Sequence, residues 1–426
     1  MGNFLLCSTP MQGHISPMIM IGRHLIEAGH QVRMLTGSRY RADVEAAGVE
    51  HAALTGLADY DDRNLAATFP DVAGKQGLAS LRAGLRDLFV RTVPEQYTGL
   101  MRQLELHGAD AVLTDSAFAG MVPLVLQDAA ARPPVLAIGV LPLLVASREL
   151  APYGLGLQPS GSALGRLRNG LLELVVQRIV FPDVQRAARR HAQELAGVDL
   201  PVFWSDTARL ADEYLQLTCP GFEYPRSDLP ANVRFVGPLL PTAPAQAVPD
   251  WWADVEQAKA VVHVSQGTVD NQDLDRLVGP TLRALACQDV LLVASTGGRP
   301  VTELRGPVPA NARVAEFLPY ERLFPLTDVF VTNAGYGGVQ YSLSHGVPLV
   351  AAGNTEEKPE VAARVAWSGT GINLHTGTPA PKRIASAVHE VLANPRYRLA
   401  AKGMAHEMRD YSALETIAGI AGRYAA

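Results

Sequence analysis

Two residues of this chain have the chemistry and the positions expected of an acid–base pair. His14 lies in residues 9–17 (TPMQGHISP), directly after the apolar run 4–8. An imidazole with an ordinary pKa of about 6.5 can be neutral in the cell and accept a proton. Asp115 ends a second apolar run, 111–114, and a nearby carboxylate would stabilise the cationic imidazole. Asp115 could instead cap a helix that we predict over residues 118–131.

A glycine-rich turn offers a second kind of chemistry, the binding of phosphate. Residues 329–331 (VFV) have the uninterrupted apolar pattern of a buried parallel strand. Residues 333–338 (NAGYGG) break that pattern, and residues 339–345 are predicted to be helical. A helix that starts in such a turn presents free backbone N–H groups and the positive end of its dipole to an anion. The spacing matches neither the dinucleotide-binding nor the P-loop fingerprint.

The stretch 314–363 resembles the nucleotide-sugar signature of GT-B glycosyltransferases, in particular the bacterial enzymes that glycosylate macrolides and other small natural products. Further matches lie in both halves, so that the resemblance covers nearly the whole chain. It implies that His14 deprotonates the acceptor hydroxyl and that Asp115, at the strand end where the family has its aspartate, orients His14. It also implies a nucleotide-sugar co-substrate, a UDP- or dTDP-sugar, with no other cofactor.

The resemblance also implies a donor site in the second half of the chain. Small-residue turns would approach the donor's phosphates, Phe317 would stack on the base, and the pair Glu357-Lys358 aligns with the family's D-Q pair, which contacts the sugar. A charged helix start is the alternative interpretation of that pair. The predicted donor-binding residues are Gly13, Gly267, Thr268, Thr296, Gly297, Phe317, Leu318, Asn333, Gly335, Gly337, Gly338, Val339, Gln340, Glu357 and Lys358.

Four positions depart from the family pattern. Asn333 stands where most relatives have a histidine on the pyrophosphate, and Tyr320 stands where they have a glutamine. Tyr341 replaces a glutamate that binds ribose hydroxyls, which is compatible with a deoxyribose donor such as a dTDP-sugar. Lys358 adds a positive charge beside the sugar or phosphate. Together these departures predict an unusual donor or an altered donor pose.

Composition excludes several other classes of protein. The net charge is −5 and the pI about 6.1, which disfavours nucleic acid as a partner. The three cysteines are widely spaced, so neither a disulfide framework nor a zinc site is expected. No cluster of His, Asp or Glu predicts a metal site. Neither a signal peptide nor a membrane-spanning run is recognised, and we expect a cytoplasmic protein, monomeric or homodimeric.

The order of the elements predicts where these residues lie. Strand and helix signals alternate along 426 residues, which indicates an α/β protein with two domains. We predict two Rossmann-like parallel-sheet domains that face each other across a cleft. The predicted boundaries are an acceptor-binding domain at 1–236, a linker at 237–250, a nucleotide-sugar-binding domain at 251–412 and a C-terminal helix at 413–426. By resemblance, that helix packs back on the first domain.

One segment of the first half has two interpretations. Residues 160–196 are predicted to be helical and amphipathic, with arginines interspersed among leucine, valine and isoleucine. Such a segment can contact a membrane surface. We favour a solvated helix face over a core or substrate cleft.

The predicted function is transfer of a sugar from a nucleotide to a small hydrophobic or polyhydroxylated acceptor, with inversion and without a metal ion. A GT-B sugar-nucleotide epimerase is the alternative enzyme, which the apolar, loop-rich region 69–157 disfavours. A catalytically silent homologue that binds or activates a partner is the alternative from another class. The His14 and Asp115 pair disfavours it, because a scaffold needs neither residue.

Overall fold

The structure is a computed structural model that describes residues 1–71, 82–240 and 247–425. The predicted linker therefore lies partly outside the described residues, as does part of the acceptor region 69–157. The described residues form two parallel sheets, one in each half of the chain. This confirms the α/β architecture expected from the alternating strand and helix signals.

The first sheet has seven strands in the order β3-β2-β1-β4-β5-β6-β7. They are β1 Asn3–Cys7, β2 Gln31–Thr36, β3 Glu50–Ala53, β4 Ala111–Asp115, β5 Val135–Gly139, β6 Glu213–Gln216 and β7 Val233–Phe235. The strand order reverses between β1 and β4, which pair in register from Phe4 with Ala111 to Cys7 with Thr114. Ligands of such sheets bind at the carboxyl ends of the strands, where the order reverses.

The second sheet has six strands in the order β10-β9-β8-β11-β12-β13. They are β8 Val261–Ser265, β9 Leu291–Ser295, β10 Ala312–Ala315, β11 Val329–Thr332, β12 Leu349–Ala351 and β13 Gly371–Asn373. Its reversal lies between β8 and β11, which pair from Val329 with Val262 to Thr332 with Ser265. Each half thus has one ligand-binding edge.

Helices cover both faces of each sheet. In the first half the α-helices are Gln12–Glu27, Arg41–Ala46, Leu65–Thr68, Val93–His107, Val122–Val125, Ala163–Val175 and Pro182–Ala196. In the second half they are Trp252–Gln257, Val278–Leu285, Tyr320–Leu323, Tyr336–Ser344, Lys358–Trp367, Pro381–Ala393, Pro395–Met408 and Ala413–Gly422. Within the described ranges, no helix is both long and apolar enough to span a bilayer.

The last helix, Ala413–Gly422, belongs to the core of the first sheet. Its residues Ile417 and Ala421 are fully buried in the same cluster as Phe4, Leu6 and Ile21. The helix therefore joins the two halves of the chain by apolar packing.

One helix prediction was wrong, and another was right about the helix but not about the burial of its first part. The predicted helix over 118–131 is broken into the short helix Val122–Val125 and two 3-10 turns, Ala119–Met121 and Ala129–Ala131. Residues 160–196 are largely helical, as predicted, and Val184 and Ala192 in Pro182–Ala196 are buried. The helix Ala163–Val175, however, does not lay its apolar side on a core, since Leu164 is 80 % exposed and Leu167, Leu171 and Leu174 are also exposed. Its buried positions within Ala163–Val175 are Gly165 and Asn169.

Candidate active site

His14 and Asp115 lie together at the edge where the first sheet reverses. The Nδ1–H of His14 donates to Oδ1 of Asp115 over 2.9 Å, and both side chains are buried. The backbone N–H of Thr9 donates to the other carboxylate oxygen over 2.6 Å, and that of Ala117 to Oδ1 over 2.8 Å. The carboxylate is therefore fixed in one orientation, and it fixes the imidazole with Nε2 as the nitrogen left to accept a proton.

The helix that carries His14 starts earlier than the sequence suggests. Glycine and two prolines predict an irregular loop over 9–17, but the helix begins at Gln12 and contains Pro17. The N–H of Gln12 donates to Oδ2 of Asp62 over 2.9 Å, so that a carboxylate from another segment stabilises the helix start. Asp62 was not predicted, because no local pattern links it to residue 12. Gly13, in the same first turn, is exposed.

The environment of His14 favours the charged imidazole despite its burial. Burial by itself lowers the pKa of His14, but the Asp115 carboxylate and its hydrogen bond raise it, and Glu357 and Glu356 raise it further. The net pKa lies above the ordinary 6.5. Two of these carboxylates come from the second half of the chain. His14 therefore faces the start of the helix Lys358–Trp367 across the cleft.

Three turns follow the second sheet's strands at its ligand-binding edge. Gly267 and Thr268 are exposed after β8, and Gly297 follows β9. Asn271 joins these turns, because its Nδ2 donates to the carbonyls of Thr296 over 2.9 Å and Gly297 over 3.0 Å. The Thr296 hydroxyl donates to the Arg299 carbonyl, so it is engaged within its own turn.

Asn333 braces the turn after β11 against the turn after β8. Its Nδ2 donates to the Gln266 carbonyl over 2.5 Å, and its Oδ1 accepts the N–H of Gly335 over 3.3 Å. The Asn333 side chain is buried. We expected Asn333 to contact the pyrophosphate. Its role in holding the two turns together explains why an asparagine stands at this position.

The helix Tyr336–Ser344 presents its N-terminus at this edge. Gly337 is exposed, and Gly335 and Gly338 are half-buried, so their backbone groups are accessible. Val339 and Gln340, which we also predicted to bind the donor, lie further into the helix. The N–H of Val339 already donates to the Gly335 carbonyl over 3.1 Å. Gln340 follows it, beyond the N–H groups at the helix start that lack helical partners.

The Gln340 side chain instead contacts the first half of the chain. Its Nε2 donates to the Leu217 carbonyl over 2.9 Å, and its Oε1 accepts from the Thr218 hydroxyl over 3.2 Å. Nearby, Nε2 of Gln216 donates to the Tyr336 hydroxyl over 3.2 Å. The helix Tyr336–Ser344 is therefore attached near its start to the strand end of β6.

Phe317 is an exposed aromatic residue at the same edge of the second sheet. Its side chain is 53 % exposed, and its ring lies over Gly298, where an added Cβ would come within 2.6 Å of Phe317 Cζ. Leu318 is buried. Tyr320, at the family's glutamine position, packs edge-on against His263 and Phe324, and Tyr341 stacks on His345. Two of the four departures thus form an aromatic core.

Acidic and hydroxyl groups surround the amino group of Lys358. Its Nζ pairs with Glu356, lies 3.5 Å from Oδ2 of Asp270 and contacts the Thr355 hydroxyl at 3.3 Å. Burial lowers the pKa of Lys358, whereas Glu356, Glu357 and Asp270 raise it, and the net shift is upward. Asp270 and Thr355 were missed, because a lone acid and a lone threonine in loops carry no pattern. Among the described residues, no cluster of His, Cys, Asp or Glu is placed to hold a metal ion.

Glu357 lies between the two edges. Burial raises the pKa of Glu357, and the charge of Glu356 raises it further. The charges of Lys358 and His14 lower the pKa of Glu357, but the net shift is upward. The structure thus brings His14, Asp115 and Glu357 to one cleft, with the glycine turns and Phe317 on its second-half side.

Known proteins resemble this chain over nearly its full length. The family described as erythromycin biosynthesis protein CIII-like, C-terminal domain, matches residues 281–420. The 4'-demethylrebeccamycin synthase of Lentzea aerocolonigenes is 42 % identical over 95 % of this chain and 94 % of its own length. UDP-glycosyltransferase 2 of Phaeomoniella chlamydospora is 35 % identical over 97 % of this chain and 94 % of its own. The crystal structure of the glycosyltransferase of kitacinnamycin superposes with a TM-score of 0.76 at 22 % identity, over 100 % and 99 % of the two chains.

Proposed function

This chain belongs to the GT-B natural-product glycosyltransferases, and from that membership we propose that it transfers a sugar from a nucleotide to a small hydrophobic or polyhydroxylated acceptor, with inversion and without a metal ion. The observation that carries the proposal is the buried hydrogen bond between His14 and Asp115. A base held by a carboxylate at the cleft is the group that such a transfer needs.

The proposed reaction is a single displacement. Nε2 of His14 takes the proton of the acceptor nucleophile, whose electron pair attacks the anomeric carbon from the face opposite the nucleotide. The bond from that carbon to the diphosphate oxygen breaks, and the nucleoside diphosphate leaves with the electron pair. One displacement inverts the anomeric configuration. Asp115 stabilises the imidazolium that forms.

The leaving diphosphate would be stabilised by groups at the second sheet's edge. The accessible N–H groups of Gly337 and Gly338 and the dipole of the helix Tyr336–Ser344 face this edge. Lys358 supplies a cation, although three carboxylates surround it. Phe317 offers a half-exposed ring on which the base can stack.

Two nucleotides are candidates for the donor. The Phaeomoniella relative is a UDP-glycosyltransferase by name, whereas Tyr341 in place of a ribose-binding glutamate favours a deoxyribose donor such as a dTDP-sugar. The burial of Tyr341 against His345 supports the second choice, because that position offers no carboxylate to a 2'-hydroxyl.

A thermal-shift titration with UDP, dTDP, GDP and ADP tests the proposal, followed by a transfer assay with the matching nucleotide-glucose and a panel of apolar aglycones. A ligand that binds only the native state raises Tm with its concentration. We expect UDP or dTDP to raise Tm and His14→Ala to bind that nucleotide equally while losing about 10²–10⁴-fold in transfer rate.

His24→Ala is the matched control, since His24 lies on the same helix outside the pair and should transfer at the wild-type rate. Product stereochemistry, read by NMR, tests inversion, and activity in excess chelator tests metal independence. Full transfer by His14→Ala would refute the proposed base. Binding of no nucleotide would support the silent homologue instead.

A further inference from the structure

One carboxylate joins the two sides of the cleft. Glu360, in the first turn of the helix Lys358–Trp367, accepts the N–H groups of Gly154 over 2.9 Å and Gly156 over 2.8 Å at Oε1. Its Oε2 accepts from Arg364 over 3.0 Å. The glycines belong to the segment after β5, and β5 is the neighbour of β4, the strand that ends at Asp115. Glu360 therefore connects a segment on the acceptor side to the helix that starts at Lys358.

The connection continues through buried charges to the other end of the same segment. Arg364 is almost completely buried and donates to Oε2 of Glu223 over 3.0 Å. Oε1 of Glu223 accepts the N–H of Leu143 over 2.8 Å, and Arg226 pairs with Oε2 at 3.4 Å. Residues 143 and 154–156 are thus both held by one network of two carboxylates and two guanidinium groups. Such a network has few alternative arrangements, because a buried charge that loses its partner is strongly disfavoured.

The segment 153–156 also comes very close to the helix Lys358–Trp367 (the donor helix). Gly156 has φ of +59°, and an added Cβ would lie 3.1 Å from the Pro359 carbonyl. The Tyr153 hydroxyl is buried and has no hydrogen-bond partner among the described residues. Burial raises the pKa of Tyr153, and the charges of Glu357 and Glu360 raise it further. A movement of the helix start would therefore move Tyr153 and its neighbours.

We propose that Glu360 is a positioning residue that couples occupancy of the donor site to the shape of the acceptor site, through the segment 153–156. The inference rests on the proposed function, because it needs a donor at Glu357-Lys358 and an acceptor near His14. Binding of either ligand shifts a shared rigid network, so each changes the affinity for the other by the same factor.

Calorimetric titrations test the coupling. The acceptor is titrated into wild type and Glu360→Gln, with and without the nucleoside diphosphate that stabilises the protein. Glutamine keeps an oxygen for the two glycine N–H groups and removes the charge that faces Arg364. We expect the nucleotide to change acceptor affinity by roughly 5–150-fold in wild type and by a factor near one in the variant, with unchanged nucleotide affinity when the acceptor is absent.

Glu407→Gln is the matched control. Oε1 of Glu407 accepts the N–H of Gly221 over 2.8 Å, so it also joins the two halves, but away from the donor helix. Its coupling should equal that of wild type. Equal loss in both variants would reduce Glu360 to a structural tie, and intact coupling in Glu360→Gln, or none in wild type, would overturn the proposal.

Gly156→Ala supplies a second route should Glu360→Gln not fold. It leaves every buried charge in place and pushes the segment from Pro359, and it should also abolish the coupling. Persistent coupling in this variant would contradict the proposal. A wild type that binds no nucleotide would instead contradict the proposed function, which keeps the two failures distinguishable.

Discussion

The two oxygens of the Asp115 carboxylate accept different donors. Oδ1 receives His14 and Ala117, and Oδ2 receives the N–H of Thr9. The carboxylate is fully buried, and both its charge and its hydrogen bond raise the pKa of His14. The pair is therefore a single electrostatic unit, in which the protonation of His14 depends on Asp115.

Replacement of Asp115 by asparagine should move the pH dependence of transfer. In wild type the rate rises as His14 loses its proton, at a pH above its ordinary pKa of 6.5. Without the Asp115 carboxylate, burial lowers the pKa of His14 against only the smaller effects of Glu357 and Glu356, so this limb shifts to lower pH while the maximal rate falls about 10²–10⁴-fold. Initial rates from about pH 5.5 to about pH 9 measure it. Asp110→Asn, at the opposite end of β4, should leave the limb in place.

Stability should follow the same linkage. The folded-state pKa of His14 is raised above 6.5, so its contribution is fully present below the unfolded pKa and is lost as pH rises through the folded one. The free energy of unfolding lost in Asp115→Asn should therefore be larger at about pH 6 than at about pH 9. Urea denaturation at both values checks the sign, and an equal loss would mean that Asp115 does not raise the pKa of His14.

Among the elements, the strands were predictable and the segments between them were less so. Uninterrupted apolar runs such as 329–331 correspond to buried strands, and their carboxyl ends gave the positions of His14, Asp115 and the glycine turns. The helix over 118–131 was over-predicted, because its apolar residues serve a broken chain in which Asp128 caps a separate turn. The contacts of Glu360 and Arg364 have partners 206 and 141 residues away, and no local pattern encodes them.

Two glycines at the carboxyl edge of the second sheet should respond differently to substitution by alanine. Gly297 has φ of +66°, and an added Cβ would lie 2.0 Å from the Gly267 carbonyl. Gly297→Ala should therefore cost about 1–3 kcal/mol of stability or more. Gly337 has open space around it, and alanine there should stabilise the helix by about 0.5–1 kcal/mol while the methyl group hinders an approaching phosphate.

Chemical denaturation and nucleotide titration of both variants separate these effects. Gly297→Ala should lose stability, whereas Gly337→Ala should lose nucleotide affinity alone. Wild-type affinity in Gly337→Ala would show that the phosphates do not approach the start of the helix Tyr336–Ser344.

On the scale of the whole molecule, the two halves are joined by apolar and polar contacts of different kinds. Glu360, Gln340 and Glu407 make hydrogen bonds across the boundary, whereas the helix Ala413–Gly422 packs within the first core. The polar contacts lie in the cleft or beside it. The helix Ala413–Gly422 lies against Gln12–Glu27, the helix that carries His14.

Ile417→Ala should destabilise the first half although residue 417 is near the end of the chain. Ile417 is 0 % exposed, and truncation of a buried isoleucine costs about 2–5 kcal/mol. Leu399→Ala, at a 67 % exposed position of the preceding helix, should change stability by less than about 0.5 kcal/mol. Urea denaturation compares them, and equal midpoints would show that the last helix adds nothing to the first core.

The position of that helix in the chain also determines when the first core can be completed during synthesis. The strands of the first sheet end at Phe235, and Ala413 follows 178 residues later. At about 5–20 residues per second, the ribosome needs about 9–36 s to make this stretch. During that interval Ile21 and its neighbours in the first core lack the partners that Ile417 and Ala421 provide in the finished protein. A growing chain of this architecture thus displays an apolar surface to chaperones until its final helix emerges.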